Sequence, residues 1–303
     1  MVRGHKVGRD VDWAFEQYEA QRAVLPTATF PKHSVVIANL AEIADRIDVF
    51  LLDVFGVLSV GSGVIPGAVD AVAALQEMGK QVFVLTNSAA APATEALVKY
   101  RNWGFDFTDF VVTSSRGTLA QTMTLADRRK WGVMAPSVPV EFPVDCVLLA
   151  DDPATYDRVD GIVLLSSAQW TQGRQDMLIQ SLQRRARPVL VGNPDIVAPR
   201  ENGISIQCGW FAHDLAQRTG IAPEFFGKPF DNIYKSALAK VGSGVPKHRI
   251  AMVGDTLHTD ILGGAHIGIK TVLITGQGVY GGQDVAPFIA RSAIVPDWIA
   301  PSI

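Results

Sequence analysis

The sequence predicts an α/β protein: a doubly wound parallel sheet carrying a second, inserted α/β segment. Apolar runs lead straight into polar residues at three places, Val49–Leu52 before Asp53, Gln81–Leu85 before Thr86, and Arg249–Val253 before Gly254 and Asp255. Near-continuous apolar runs mark strands buried on both faces of a parallel sheet. Helical patterns of roughly ten to fifteen residues alternate with them, as in the winding of such a sheet. The alternation loosens between residues 117 and 223 and then resumes, which divides the chain into a core of 48–116 and 224–303, an inserted α/β domain of 117–223, and an N-terminal extension of 1–47 packing on the core.

In the extension, Val35, Ile37, Leu40, Ile43 and Ile47 recur mostly at three- and four-residue steps and predict a short amphipathic helix. Trp13, Phe15 and Tyr18 dock the earlier part on the core or pack on a partner subunit; the sequence leaves both open. After Asp53, Gly61–Gly63 and Pro66–Gly67 mark a loop, and Ala68–Met78 reads as a helix stopped by Gly79. A second helix runs from about Thr94 to Trp103, and Phe110–Val112 forms a strand ahead of Thr113. Within the insertion, short strands fall at 146–149, 162–165 and 189–191, with a helix whose solvated end carries Arg184, Arg185 and Arg187. Asp231–Lys240 is again helical, and Thr271–Ile274 is a strand before Thr275-Gly276-Gln277-Gly278.

Of the 303 residues, 48% are hydrophobic and 19% charged, a globular balance with ample length for a core. The formal net charge of −3 gives no electrostatic case for nucleic acid or an anionic membrane. No apolar stretch nears the ~20 residues of a membrane span, and the basic start lacks the apolar centre of a signal peptide. Cys146 and Cys208 stand apart and read as core thiols. These features predict a cytoplasmic setting.

The strand ends carry the chemistry. Asp53 and Asp255 are carboxylates delivered where ligands collect in open α/β sheets. Taken alone, Asp53 reads equally well as a cap on the turn after its strand. With Asp260 in the next helical turn, the two carboxylates offer the oxygen ligands that magnesium prefers. Thr86 and the Lys228 ammonium suit a phosphoryl group, and a carboxylate beside them can attack phosphorus to form an aspartyl-phosphate. The metal and the lysine offset the repulsion between two anions at contact distance.

The order Asp53-Val54-Phe55-Gly56-Val57-Leu58, Leu85-Thr86-Asn87-Ser88, Gly227-Lys228-Pro229 and Gly254-Asp255 to Thr259-Asp260-Ile261 resembles the haloacid-dehalogenase-like hydrolase superfamily. Val191–Asp195, Cys208-Gly209-Trp210 through Thr219-Gly220, and Gly263-Gly264-Ala265 narrow the likeness to subfamily IIA, phosphatases of nitrophenyl, pyridoxal and sugar phosphates. The resemblance spans about residues 48–280 in one collinear order. It implies a Rossmann-like core with a cap and a magnesium-dependent hydrolase of a small phosphorylated metabolite. It further implies that Asp53 is the nucleophile and a metal ligand. The backbone carbonyl of Phe55 and the carboxylate of Asp255 complete the ligands, with Asp260 behind them. Thr86, Asn87 and Lys228 then meet the phosphoryl group, while Asn193 and Asp195 support the site where the cap returns to the core. A homodimer through the caps is implied as well.

One residue departs from the family pattern. Phe55 stands two positions after Asp53, where family phosphatases carry a second aspartate that protonates the leaving oxygen and then activates water. General acid–base help is worth ~10²–10⁴ in rate. Weakened hydrolysis, a non-catalytic binder of metal and phosphate ligands, or a dehalogenase (whose halide needs no proton) are the alternatives. His258 either replaces the missing acid or is a solvent-facing histidine. His213 and His266 read as ordinary helix residues, and Asp151-Asp152 as a turn. Asp195 reads as an Asx-turn aspartate or as support for the site.

Overall fold

In the computed structural model of the chain, which describes residues 10–123, 127–200 and 203–303, the apolar runs form the middle of a sheet. Seven strands lie in the order Val35–Val36, Trp298–Ala300, Lys270–Ile274, Ile250–Gly254, Val49–Leu52, Gln81–Thr86, Val112–Ser114. Every neighbouring pair is parallel. Val49–Leu52 is buried along its whole length because alternate residues serve opposite layers. Phe50 and Leu52 pack with Val72 and Leu75, whereas Val49 and Leu51 pack with Ile233 and Tyr234. From this strand the chain winds to one side through Gln81–Thr86 and returns on the other at Ile250–Gly254. The crevice beyond its carboxyl end is therefore a topological switch point.

A second sheet has five parallel strands in the order Glu224–Phe225, Val189–Val191, Gly161–Leu164, Trp131–Met134, Cys146–Leu148. Glu224–Phe225 pairs here with Leu190 and Val191, so the chain crosses back to the larger sheet only after Phe225. The helices Gln172–Arg184 and Cys208–Thr219 cover one face through Leu178, Ile179, Leu182, Phe211 and Leu215. An antiparallel hairpin, Val197–Arg200 with Gly203–Ile206, stands beside this sheet.

The helix expected over Val35–Ile47 is not formed. Val35–Val36 is an edge strand beside Trp298 and Ile299, and only Leu40–Ile43 makes a 3₁₀ turn. Three successive β-branched residues favour extended backbone, and the Asn39 side chain, accepting from the Ala41 N–H, starts a new turn after them. Trp131–Met134 went unread because Gly132 interrupts its apolar run. A Cβ on Gly132 would come within 2.8 Å of Leu149, so the glycine is what lets that side chain pack there. The strand expected at Phe110–Val112 lies slightly later, at Val112–Ser114.

Residues 1–9 of the extension fall outside the described residues. Beyond them the helix Val11–Ala20 is started by Asp10, whose carboxylate accepts from the Trp13 N–H. Phe15 and Tyr18 dock on this same chain: Phe15 packs with Leu257, Ile261 and Phe288, and Tyr18 with Ile196 and Val197. No helix among the described residues is long and apolar enough to cross a membrane.

Candidate active site

Asp53 and Asp255 come together because their strands are hydrogen-bonded neighbours. Leu52 pairs with Val253, and the Asp53 N–H donates to the Val253 carbonyl at 2.9 Å. The chain turns at once after Asp53 through Gly56, whose φ of +78° suits glycine. A Cβ on Gly56 would lie 2.3 Å from Asp255 Oδ2, and one on Gly278 would lie 2.1 Å from the same atom. Between these two glycines Asp255 is fixed by the Val279 N–H on Oδ2 at 2.7 Å and the Thr256 hydroxyl on Oδ1 at 3.1 Å.

Asp260 lies in a short π-helical turn, Leu257–Ile261, which brings its carboxylate back against Gly254. Its Oδ2 accepts from the Thr256 N–H at 3.1 Å. Lys228, 1% exposed, places its ammonium 2.6 Å from Asp53 Oδ1 and 2.7 Å from Asp260 Oδ1. Ligand oxygens of Asp53, Asp255 and Asp260 all lie within 4.8 Å of one another.

Three buried carboxylates against one ammonium leave an excess of negative charge. Burial pushes the Asp53 carboxyl up to about 7 against the pull of Lys228, with the charge on Asp260 adding to the rise. Burial, followed by the charges of Asp260 and Asp53, holds Asp255 well above the usual carboxylate range. Burial also opposes the Lys228 charge, but Asp260, Asp53 and Asp195 outweigh it and keep the ammonium firmly protonated. An all-oxygen, over-acidic cluster of this kind fits a hard divalent cation, to which Asp53 and Asp255 could offer carboxylate oxygens while Asp260 braces the lysine.

Asn87 closes the other side. Its Oδ1 accepts from the Lys228 N–H at 2.7 Å, and its Nδ2 donates to the Lys228 carbonyl at 2.9 Å and to Asp195 Oδ1 at 2.7 Å. Gly227 makes this clasp possible, since a Cβ there would lie 2.5 Å from Asn87 Oδ1. Thr86, buried at the end of its strand, accepts from the Ser88 N–H. The Asx turn belongs to Asn193, whose Oδ1 accepts from the Asp195 N–H, rather than to Asp195 itself.

Asp53, Thr86, Asn87, Asn193, Asp195 and Asp255 line a cavity of about 190 Å³ between the two sheets. Its floor holds Asp53, Phe55, Thr86, Asn87 and Asp255 from the strand ends. Its roof holds Leu165, Ser166, Asn193, Asp195, Val197 and Gln207 from the inserted segment. Ser166, Gln207 and the Gly278–Val279 grip on Asp255 escaped the sequence reading. The two glycines of Thr275–Gly278 were the only signal for the last of these.

His258 is not solvent-facing. It is 1% exposed, stacked on Tyr18, and its Nε2 meets Glu19 Oε1 at 2.5 Å, outside the cavity lining. His213 and His266 lie in helices, as expected. Asp152 caps the helix Pro153–Asp157 and Asp151 pairs with Arg174, both away from the cavity.

A family profile described as haloacid dehalogenase-like hydrolase matches residues 50–138, and one described as HAD-hydrolase-like matches residues 225–303. Between them they cover more than half of the chain. The human phospholysine phosphohistidine inorganic pyrophosphate phosphatase is 26% identical over 239 residues, 75% of this chain and 83% of its own length. The acid sugar phosphatase of Staphylococcus aureus is 26% identical over 225 residues, 74% of this chain and 84% of its own. Among solved structures, a possible sugar phosphatase of Cytophaga hutchinsonii superposes with a TM-score of 0.76 at 24% identity, covering 89% of this chain and 98% of that one. At that identity the likeness establishes the shared fold.

Proposed function

The chain belongs to the haloacid dehalogenase-like hydrolases, and from that membership we propose that it is a magnesium-dependent phosphomonoester hydrolase acting through an aspartyl-phosphate. The observation that carries this reading is the Lys228 ammonium bridging Asp53 and Asp260 beside Asp255. A carboxylate attacks phosphorus only where positive charge screens it from the phosphoryl oxygens. In this reading Asp53 attacks, Lys228 and the Thr86 hydroxyl bind the phosphoryl oxygens, and Asn87 holds Lys228 in place through its backbone. Asp53, Asp255 and the Phe55 carbonyl would hold magnesium, which supplies charge neutralisation at the transferring group.

The substrate in this proposal is a small phosphorylated metabolite, a sugar phosphate or similar. The cavity of about 190 Å³ sets the size, and Ser166, Asn193 and Gln207 offer neutral hydrogen-bonding groups to hydroxyls. A cytoplasmic setting belongs to the same reading and is supported by two unpaired cysteines, Cys146 and Cys208.

Phe55 in the cavity wall favours one second reading, a protein that binds metal and phosphate without turning substrate over. Phosphate release from nitrophenyl phosphate with magnesium decides between them. The first reading expects release that Asp53→Asn lowers by ~10⁴-fold or more, as loss of a nucleophile does. Undiminished release from that variant removes Asp53 from the mechanism, and no release from the unmodified chain leaves the binder.

A further inference from the structure

We infer that Asp195 is the catalytic acid and base of this site, protonating the leaving oxygen and then activating water. The inference rests on the phosphatase reading above. An aliphatic alkoxide is a poor leaving group without a proton. The residue two positions after Asp53 is Phe55, which lines the cavity but has no side-chain proton to give.

Of the described residues lining the cavity, three titrate: Asp53, Asp255 and Asp195. Asp53 is paired with Lys228, and Asp255 is held at both oxygens by Thr256 and Val279. Both belong to the carboxylate cluster, where their charge is needed. Asp195 is outside that cluster. Asn87 occupies its Oδ1, and no protein donor to its Oδ2 is found among the described residues. His258 is turned away toward Glu19.

Position supports the same assignment. In-line displacement places the leaving oxygen opposite the attacking one. Asp53 attacks from the floor, so the leaving group points to the roof, where Asp195 stands beside Asn193 and Gln207. Asp53 and Asp195 line the same cavity of about 190 Å³, so both face one occupant. Burial pushes the Asp195 carboxyl up to about 6, against the pull of Lys228 and the Asn87 hydrogen bond, so it carries a proton at mildly acidic pH. The charged or titratable groups facing it are Lys228, Asp260, Asp53, Tyr18 and Cys208.

In the first step the Asp53 carboxylate forms a bond to phosphorus and the bond from phosphorus to the leaving oxygen breaks. The electron pair stays on that oxygen, which takes the Asp195 proton and departs as an alcohol. In the second step water attacks phosphorus and gives a proton to the Asp195 carboxylate. The acyl-phosphate bond breaks, returning Asp53 as a carboxylate and releasing phosphate.

Asp195→Asn tests this in the full-length chain with magnesium, using glycerol phosphate and nitrophenyl phosphate as probes. Glycerol phosphate turnover is expected to fall by ~10²–10⁴-fold. Nitrophenolate leaves without help, so the variant is expected to release a rapid burst approaching one equivalent and then turn over slowly, because the second step has lost its base. Equal losses on both substrates with no burst overturn the inference and leave the phosphatase reading standing. Absence of turnover by the unmodified chain on either substrate overturns both.

Discussion

The Tyr18 hydroxyl accepts a hydrogen bond from the Ile196 N–H at 3.1 Å, tying the N-terminal helix to the residue immediately after Asp195. The same ring lies flat on His258, with centroids 5.1 Å apart and planes 9° from parallel, two residues before Asp260. Glu19 holds the far side of His258. One helix outside the family's collinear match thus joins the returning segment of the insertion to the turn that carries Asp260. It acts on the site through backbone and packing, with no atom in the cavity lining.

Tyr18→Phe removes the hydroxyl and keeps the stacked ring. The Ile196 N–H is then left buried and unpaired, which costs about 1–3 kcal/mol. Denaturant unfolding should show that loss, and hydrogen exchange at the Ile196 amide should quicken by about 5- to 140-fold, each ~1.4 kcal/mol being a factor of ten. An unchanged exchange rate would mean that the bond does not hold the segment.

The parts of the site that could be read from sequence are those a strand delivers. Asp53, Thr86 and Asp255 come directly after apolar runs, and a run long enough to be buried fixes where its next residue points. Lys228 became readable through the Gly-Lys-Pro resemblance, since nothing local marks it. The features that stayed hidden depend on contacts distant in the chain. His258 resembles a loop histidine until a helix whose Glu19 lies 239 positions away covers it. Gly278 looks like any turn glycine until Asp255 fills the space beside it. The 35–47 segment shows the converse failure, because three- and four-residue spacing of apolar residues also suits an edge strand with one tight turn after it.

Gly278→Ala should cost the site its response to magnesium. The added Cβ would fall 2.1 Å from Asp255 Oδ2 at a φ of +77°, so the carboxylate must shift. Magnesium at 100 times its dissociation constant stabilises a binding fold by about 2.7 kcal/mol. Thermal unfolding with and without magnesium should show this gain in the unmodified chain and its loss in Gly278→Ala. Gly282→Ala, with nothing within 4 Å of the added Cβ, controls for a change at another positive-φ glycine. An equal magnesium shift in the unmodified chain and Gly278→Ala would show that Asp255 tolerates the displacement or takes no part in holding the ion.

His213 should make the protein acid-sensitive at a site far from the chemistry. It is 7% exposed in the helix Cys208–Thr219, its ring stacked on Phe225 at 5.1 Å, and burial pushes its pKa down to about 4. In the unfolded chain the same imidazole takes its proton near pH 6.5. Between those values the unfolded state binds more protons than the folded one, so stability declines as pH falls from about 6.5 to about 4 and then levels. The shift corresponds to a loss on the order of 3 kcal/mol across that window. Asp53 and Asp195, whose folded pKa values are raised to about 7 and about 6, work in the opposite direction over part of the same range. The contribution of His213 is therefore read as a difference between variants. His213→Phe keeps a ring on Phe225 and cannot protonate, and His213→Leu checks that a new aromatic contact is not responsible. Melting temperatures at pH 7.5 and 4.5 should fall further for the unmodified chain than for either variant, and parallel falls in all three would place the acid sensitivity elsewhere.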